Sequence, residues 1–358
     1  MKNLLDETTI GNIKLKNRFI RSGTWMRKAT EDGDLTEELI AGYKHLAEGK
    51  LGLVIAGYAR VNQFERANNQ MIGMYDDKFI APMQEFTKMF RDNDTPIGIQ
   101  LAMGGTQIHF QGDVTWEVMS PTATTITRKD SAGNDITIAV PEMSKTDIDN
   151  VIQDFVAAAR RVKDSEFDLV QLHAGHGYFL SQWMNPEINT RNDEYGTDRT
   201  KFVVDLYMAV RAEVGPDFPI AIKLNSEEKI GDTSNHEAML ALCIKLDELG
   251  IDMLEVSGFA PSRTKVTLEN ESYFAEFATK LKAQVKCPVM LTGGNKTYNN
   301  IDKVLKETNV DYIGLSRTLV SEPDLVEKWI TDPAYKSRCV SCNHCHRKTY
   351  LCVFDAPK

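Results

Sequence analysis

Two histidines three residues apart, His173 and His176, with Tyr178 just beyond them, are the side chains in this sequence best placed to do chemistry. They follow an apolar run, Phe167 to Leu172, on a bend flanked by Gly175 and Gly177. Two neutral imidazoles on one bend can donate hydrogen bonds to a single carbonyl oxygen and stabilise the charge that develops there. A neighbouring tyrosine hydroxyl can supply a proton. Zinc is the rival use of such a pair, but catalytic zinc takes a third protein ligand and none is visible nearby. Tyr178 by type alone fits a core or lid aromatic equally well.

A polar bend after a buried strand implies a parallel α/β fold, where chemistry collects at strand carboxyl ends. Apolar runs at Arg18 to Ser22, Leu51 to Ala56, Pro96 to Leu101, Phe167 to Leu172, Phe218 to Leu224, Ile251 to Val256, Pro288 to Leu291 and Tyr312 to Leu315 supply eight strands. Helical stripes alternate with them. Ser144-x-x-Asp147 reads as a capping box opening a helix with Ile148, Ile152, Phe155 and Val162 on one side. Met239, Leu242, Leu246 and Leu249 form another stripe, ending at Gly250. The pattern predicts a (β/α)8 TIM barrel over residues 1–335 and a short cysteine-rich C-terminal tail over 336–358. An open dinucleotide-binding sheet would need Gly-x-Gly-x-x-Gly after an early strand, which is missing. Two β-rich runs, Thr124 to Thr127 and Ile136 to Val140, joined by Asp130-Ser-Ala-Gly-Asn, predict a β-hairpin lid in the β3–α3 loop.

The other unusual polar residues also follow strand ends: Gly23-Thr24-Trp25, Gly57, Gln100, Lys223 with Asn225, Thr292-Gly293-Gly294, and Ser316-Arg317. A Gly-Gly turn after the seventh strand and Ser-Arg after the eighth supply backbone N–H groups and a bidentate cation for a phosphate. Taken singly, the glycines are a tight turn and Arg317 a surface ion pair; their joint position raises the phosphate reading. With 42 basic against 51 acidic residues and a net charge of −9, nucleic acid and anionic membrane are poor partners. Neither a signal peptide nor a run of about 18 apolar residues is present, so the expected location is cytoplasmic. Four of six cysteines, Cys339, Cys342, Cys345 and Cys352, crowd the end of the chain, a spacing of metal, cluster or redox chemistry rather than of a disulfide framework.

The stretch His173-Ala-Gly-His-Gly-Tyr-Phe-Leu-Ser-Gln, with Asn185-Pro, Asn189, Arg191 and Asp193-Glu-Tyr-Gly, resembles the signature of the Old Yellow Enzyme family of flavin mononucleotide (FMN) oxidoreductases. Ile10-Gly-Asn-Ile-Lys-Leu-Lys-Asn-Arg, Gly98-Ile-Gln-Leu, Gly293-Gly294 and the run from Gly314 to Leu325 agree with it. The resemblance implies that FMN lies across the barrel mouth and that NADH or NADPH reduces it there. It places Gln100 at the flavin's pyrimidine edge, Lys223 near N1 and O2, Ser22, Gly23, Thr24 and Gly57 under the ring, and Gly293, Gly294, Ser316 and Arg317 at the phosphate. His173 and His176 would anchor the oxygen of an unsaturated carbonyl, N5 would deliver hydride to the β-carbon, and Tyr178 would protonate the α-carbon. A cation beside N1 suits the negative charge of reduced flavin.

Departures from the family pattern fall at Gly23, Trp25, Met103 and Ser316; Trp25 stands where many members have a cysteine or threonine that bonds the flavin's O4. The tail resembles the cluster-binding segment of the 2,4-dienoyl-CoA reductase and trimethylamine dehydrogenase branch, though Cys352 comes sooner than the fourth cysteine there. The expectation is that the four thiols hold no metal, with structural zinc and an iron–sulfur cluster as alternatives. The implied function is FMN-dependent, NAD(P)H-using reduction of activated carbon–carbon double bonds of small molecules, by a homo-oligomer. The alternative is a flavin-carrying electron-transfer protein or NADH oxidase without an alkene substrate. A non-flavin barrel lyase using Lys223 is weaker, because nothing else places a carbonyl beside that lysine.

Overall fold

Eight parallel strands, here numbered β1 to β8, follow one another round a closed ring: β1 (Phe19–Trp25), β2 (Leu53–Arg60), β3 (Ile97–Ala102), β4 (Leu169–Ala174), β5 (Ile220–Asn225), β6 (Met253–Ser257), β7 (Val289–Thr292) and β8 (Tyr312–Leu315). The ring closes where Ile313 to Leu315 pairs with Phe19 to Arg21. The computed structural model describes residues 2–107, 117–129, 132–227, 234–258, 266–267, 269–346 and 351–355. Helices α1 (Glu37–Glu48), α2 (Ile80–Arg91), α3 (Lys145–Asp164), α4 (Lys201–Val214), α5 (His236–Glu248), α6 (Ala275–Lys282), α7 (Tyr298–Thr308) and α8 (Leu325–Thr331) lie in the intervals between strands and after β8. The fold is the expected (β/α)8 barrel. No helix among the described residues is long and apolar enough to cross a membrane.

Two strands run furthest past their expected ends. β1 continues through Gly23 to Trp25 and β2 through Gly57 to Arg60, each with a register shift at the glycine. A glycine that reads as a turn in sequence is here a bulge, which bends the strand without ending it. A Cβ on Gly57 would lie 2.6 Å from the Thr24 nitrogen, so the two bulges press backbone against backbone. Leu249, expected on the buried stripe of α5, is instead its C-terminal cap and is 39% exposed, because the helix already ends at Glu248.

The barrel interior is layered. Ile20, Leu53, Leu169, Ala221, Met253, Met290 and Tyr312 form an apolar lower layer, plugged by Ile10, Ile13 and Leu15 of an N-terminal hairpin (Thr8–Ile10 with Ile13–Leu15). Side chains in a strand alternate faces, so residues two positions further along point inward again. There the interior turns polar: Ser22, Gln171, Lys223 and Glu255, all buried.

The predicted hairpin forms from Thr124–Lys129 and Asp135–Val140, although Asp130 and Ser131 of its turn lie outside the described residues. Arg191, in the second half of the sequence signature, ties its base down by donating from Nη1 to the Pro121 and Met143 carbonyls, both at 2.7 Å. Asp193 takes the same guanidinium in a two-pronged pair and caps the short helix Glu194–Thr197. The segment after α8 is stitched to the barrel as well: Glu322 accepts from Tyr335 Oη, Ser337 Oγ and the Arg338 nitrogen.

The capping box of α3 is present, with Ser144 Oγ accepting from the Asp147 nitrogen and Asp147 accepting from the Ser144 nitrogen. Ser144→Ala is expected to cost about 1 kcal/mol, seen as a lower urea midpoint at unchanged m-value.

Candidate active site

The polar layer converges on one buried ion pair. Lys223 Nζ on β5 lies 3.0 Å from Glu255 Oε1 on β6, with side chains 3% and 0% exposed. The strands are in register at these two residues, which forces the side chains together. Ser22 Oγ donates to Glu255 Oε1 at 2.6 Å and accepts from Lys223 Nζ at 2.8 Å. Gln171 Nε2 donates to Glu255 Oε2 at 2.7 Å, and Gln171 Oε1 accepts from Gln100 Nε2 at 2.7 Å. A buried charge is tolerated when it is paired and its remaining valences are met, as here. Gly23 lies close above this layer: a Cβ would lie 2.9 Å from the Gln100 amide carbon.

The histidine bend sits at the end of β4. His173 is on the strand, buried, with Nδ1 lacking a hydrogen-bond partner. Burial, then the neighbouring Lys223 charge, hold its pKa well below the usual histidine value, so the imidazole is neutral. His176 adopts φ 61° and Gly177 φ 75°, a left-handed pair of residues. Asn225 fixes that turn by accepting from the His176 nitrogen at 2.7 Å, and Ser257 Oγ lies 2.9 Å from His176 Nε2. The two imidazoles are 5.0 Å apart between ring centres. Tyr178 ends the bend, with Tyr58 Oη 2.9 Å and Asn68 Nδ2 3.2 Å from its hydroxyl. Asn68 Nδ2 also reaches Tyr58 Oη at 2.6 Å. Burial raises both phenols above their ordinary pKa, while the hydrogen bonds from Tyr58 and Asn68 act on Tyr178 in the opposite sense. Trp25 stacks on Tyr58 with ring centres 6.1 Å apart and carries the Arg27 guanidinium 4.2 Å above its own ring, so it walls this end of the mouth.

At the other end, Gly293 (φ 147°) and Gly294 (φ 75°) turn the chain after β7, where a Cβ would strike the rings of Phe274 and Tyr273. Asn295 Nδ2 donates to the Leu291 and Gly314 carbonyls and clamps the ends of β7 and β8 together. Ser316 Oγ meets Thr24 Oγ1 at 2.9 Å, and its carbonyl accepts from Arg21 Nη1. Arg317 Nη1 donates to Asn343 Oδ1 of the tail at 2.5 Å.

A cavity of about 430 Å³ joins these ends. Ser22, Gly23, Thr24, His176, Tyr178, Lys223, Gly293, Gly294, Ser316 and Arg317 line it, as the sequence suggested for a common site. Gln100, Gly57 and His173 are not among the lining residues; Gln100 lies against Gly23, and Gly57 donates its N–H to Tyr43 Oη. Sequence reading missed Glu255, Gln171, Tyr58, Asn68 and Asn295. A lone carboxylate inside the apolar run Met253-Leu-Glu-Val was the available signal for Glu255. Cys339 and Cys345 also line the cavity, and all four tail thiols border a small hollow beside Arg317. Those thiols are free, and no group of three or more metal-binding side chains is set to hold an ion among the described residues.

The cavity suits an anionic, ring-bearing cofactor. Arg27, Lys223, Lys296 and Arg317 line it, and no carboxylate does among the described residues. The Thr292 and Thr318 hydroxyls at its glycine end are buried without a partner. The class this defines is a (β/α)8 barrel with a cationic, cofactor-sized mouth. Residues 4–332 match the NADH:flavin oxidoreductase / NADH oxidase family, and the chain belongs to it.

Among its relatives, an NADH oxidase of Thermoanaerobacter brockii is 27% identical over 95% of this chain and 53% of its own length. An NADPH dehydrogenase of Bacillus subtilis is 27% identical over 90% of this chain and 92% of its own. The chain therefore spans about half the length of the first relative and nearly all of the second. Solved structures share the Old Yellow Enzyme fold. A 2-naphthoyl-CoA reductase superposes with TM-score 0.84 at 20% identity, over 96% of this chain and 54% of that one. An Old Yellow Enzyme homologue from Zymomonas mobilis does so with TM-score 0.79 at 21% identity, over 95% and 96%.

One buried carboxyl stands outside this set. Glu65 accepts from the Gly104 and Gly105 nitrogens at 2.7 and 2.8 Å, at the root of the loop that carries the hairpin. Burial pushes its pKa from 4.5 to about 8. The folded state therefore binds this proton more tightly than the unfolded state, and the stability it contributes is full below pH 4.5 and lost as pH rises through about 8. Glu65→Gln should gain stability relative to the parent as pH is raised across that window, measured by urea denaturation at several pH values; a constant difference would contradict the assignment.

Proposed function

We propose that this chain is an FMN-dependent, NAD(P)H-using ene-reductase acting on activated double bonds of α,β-unsaturated carbonyl compounds. The observation that carries the reading is the Tyr178 hydroxyl, buried at the cavity wall with the Asn68 amide donating to it, the Tyr58 hydroxyl paired with it and the histidine bend beside it. FMN, when bound, supplies hydride chemistry, accepting from NAD(P)H and giving to the alkene. Ser22, Gly23, Thr24, Gly57, Gln100 and Lys223 would hold its ring, and Gly293, Gly294, Ser316 and Arg317 its phosphate.

The remaining work belongs to this chain's side chains. The imidazoles of His173, which is neutral, and His176 polarise the substrate oxygen as hydrogen-bond donors. Tyr178 gives its proton to the α-carbon, and the Tyr58 O–H and Asn68 N–H donate to the phenolate left behind. Trp25 against Tyr58 limits the size of what enters.

A second reading has its own observation. Cys339 and Cys345 line the same cavity, which suits a flavin protein that passes electrons onward without an alkene of its own.

Rapid mixing of FMN-loaded enzyme separates the two. Tyr178→Phe should slow reoxidation by an enone by about 10²- to 10⁴-fold and leave reduction by NAD(P)H near the parent rate. His173→Ala should weaken enone binding. Tyr58→Phe should retain turnover but move the alkaline limb of the enone step to higher pH, since Tyr178 loses a donor to its phenolate. Parent-like enone reduction by Tyr178→Phe and His173→Ala would overturn the mechanism, and turnover with artificial acceptors but with no enone would favour the second reading.

A further inference from the structure

Glu255 has no place in the steps above, yet it is the hub of the layer beneath the cavity. Its Oε1 takes Ser22 Oγ at 2.6 Å and Lys223 Nζ at 3.0 Å, and its Oε2 takes Gln171 Nε2 at 2.7 Å. We propose that Glu255 is a positioning residue that offsets the Lys223 charge and orients the Gln100 amide, and thereby sets how readily bound FMN accepts electrons. The inference rests on the placement of Lys223 and Gln100 at the flavin's pyrimidine edge.

The orientation follows from donor and acceptor counting. An ionised carboxylate only accepts. Gln171 must therefore turn its amide nitrogen towards Glu255, which leaves its carbonyl oxygen facing Gln100. Gln100 in turn must present its own nitrogen to Gln171, as observed at 2.7 Å. Its amide lies against Gly23, where an added Cβ would come within 2.9 Å of the amide carbon. The orientation of the Gln100 amide is thus dictated two side chains away, through bonds of 2.7 Å each.

Lys223 lines the cavity and Glu255 does not, so anything seated there meets the ammonium directly with the carboxylate behind it. Both groups lie in the dry interior of the barrel, where charges are weakly screened. A lone ammonium would draw electrons into a flavin strongly; paired with Glu255, its field is largely cancelled. Reduction adds negative charge on the cofactor, and Glu255 opposes it.

The experiment compares the midpoint potential of bound FMN in the parent, Glu255→Gln, Lys223→Met and the double variant, with thermal unfolding run on each. Glu255→Gln should raise the potential, Lys223→Met should lower it, and the double variant should fall between the two. Where Glu255→Gln does not fold, the double variant against Lys223→Met reads the same charge, and the double is expected higher. A shift with Lys223→Met but none on removing Glu255 from either background overturns the proposal while leaving the cofactor placement intact. An unchanged potential in Lys223→Met overturns the placement itself, and the proposal with it.

Discussion

A charged pair sealed inside a barrel is the constraint on which the rest of this molecule depends. Lys223 and Glu255 face each other in register across β5 and β6, with essentially no access to water. Losing one partner of such a pair leaves an uncompensated buried charge and costs about 3–5 kcal/mol, so the pair must be held in fixed geometry. Ser22 and Gln171 do this from β1 and β4. The parity of the strands then decides everything nearby. One layer down, the inward positions are apolar and plugged by the N-terminal hairpin; one layer up, they open into the cavity. Function occupies the boundary between dry packing and solvent, where a cation can be both buried and presented.

Around that floor, the signature following β4 divides into two jobs. Its first half, His173 to Tyr178, brings one imidazole, His176, and a phenol to the cavity with the neutral His173 buried behind them, helped by Asn225 and Ser257 from the next two strands. Its second half does scaffolding. Gln182 joins the Gly104 and Gly177 carbonyls, Asn189 joins those of Trp183 and Tyr195, and Arg191 holds the hairpin base. These are buried side chains bonded to backbone, which fix loops that would otherwise move independently of the barrel. The hairpin and Tyr178 are thereby referenced to one frame.

Strand order, barrel closure and the hairpin were legible because each rests on local pattern: short continuous apolar runs, helical stripes and turn residues. The limits were also local. Gly23 and Gly57 read as strand ends because a bulge glycine and a turn glycine are alike in sequence. Residues that project from strand ends were legible as a set, and most of them do share the cavity. Glu255 was not, since one carboxylate in an apolar run has no meaning until a neighbouring strand brings Lys223 beside it. Tyr58 and Asn68 were equally hidden: their meeting with Tyr178 depends on the β2 bulge and the loop beyond it. Polar networks made across strands are long-range facts, and one-dimensional patterns do not carry them.

We propose that the cationic cavity over the polar layer holds FMN. The visible absorption spectrum of the purified protein, with mass identification of the cofactor released on denaturation, tests it most directly. A yellow protein releasing one FMN per chain is the expected result. A colourless protein that takes up no FMN when it is supplied would contradict the claim.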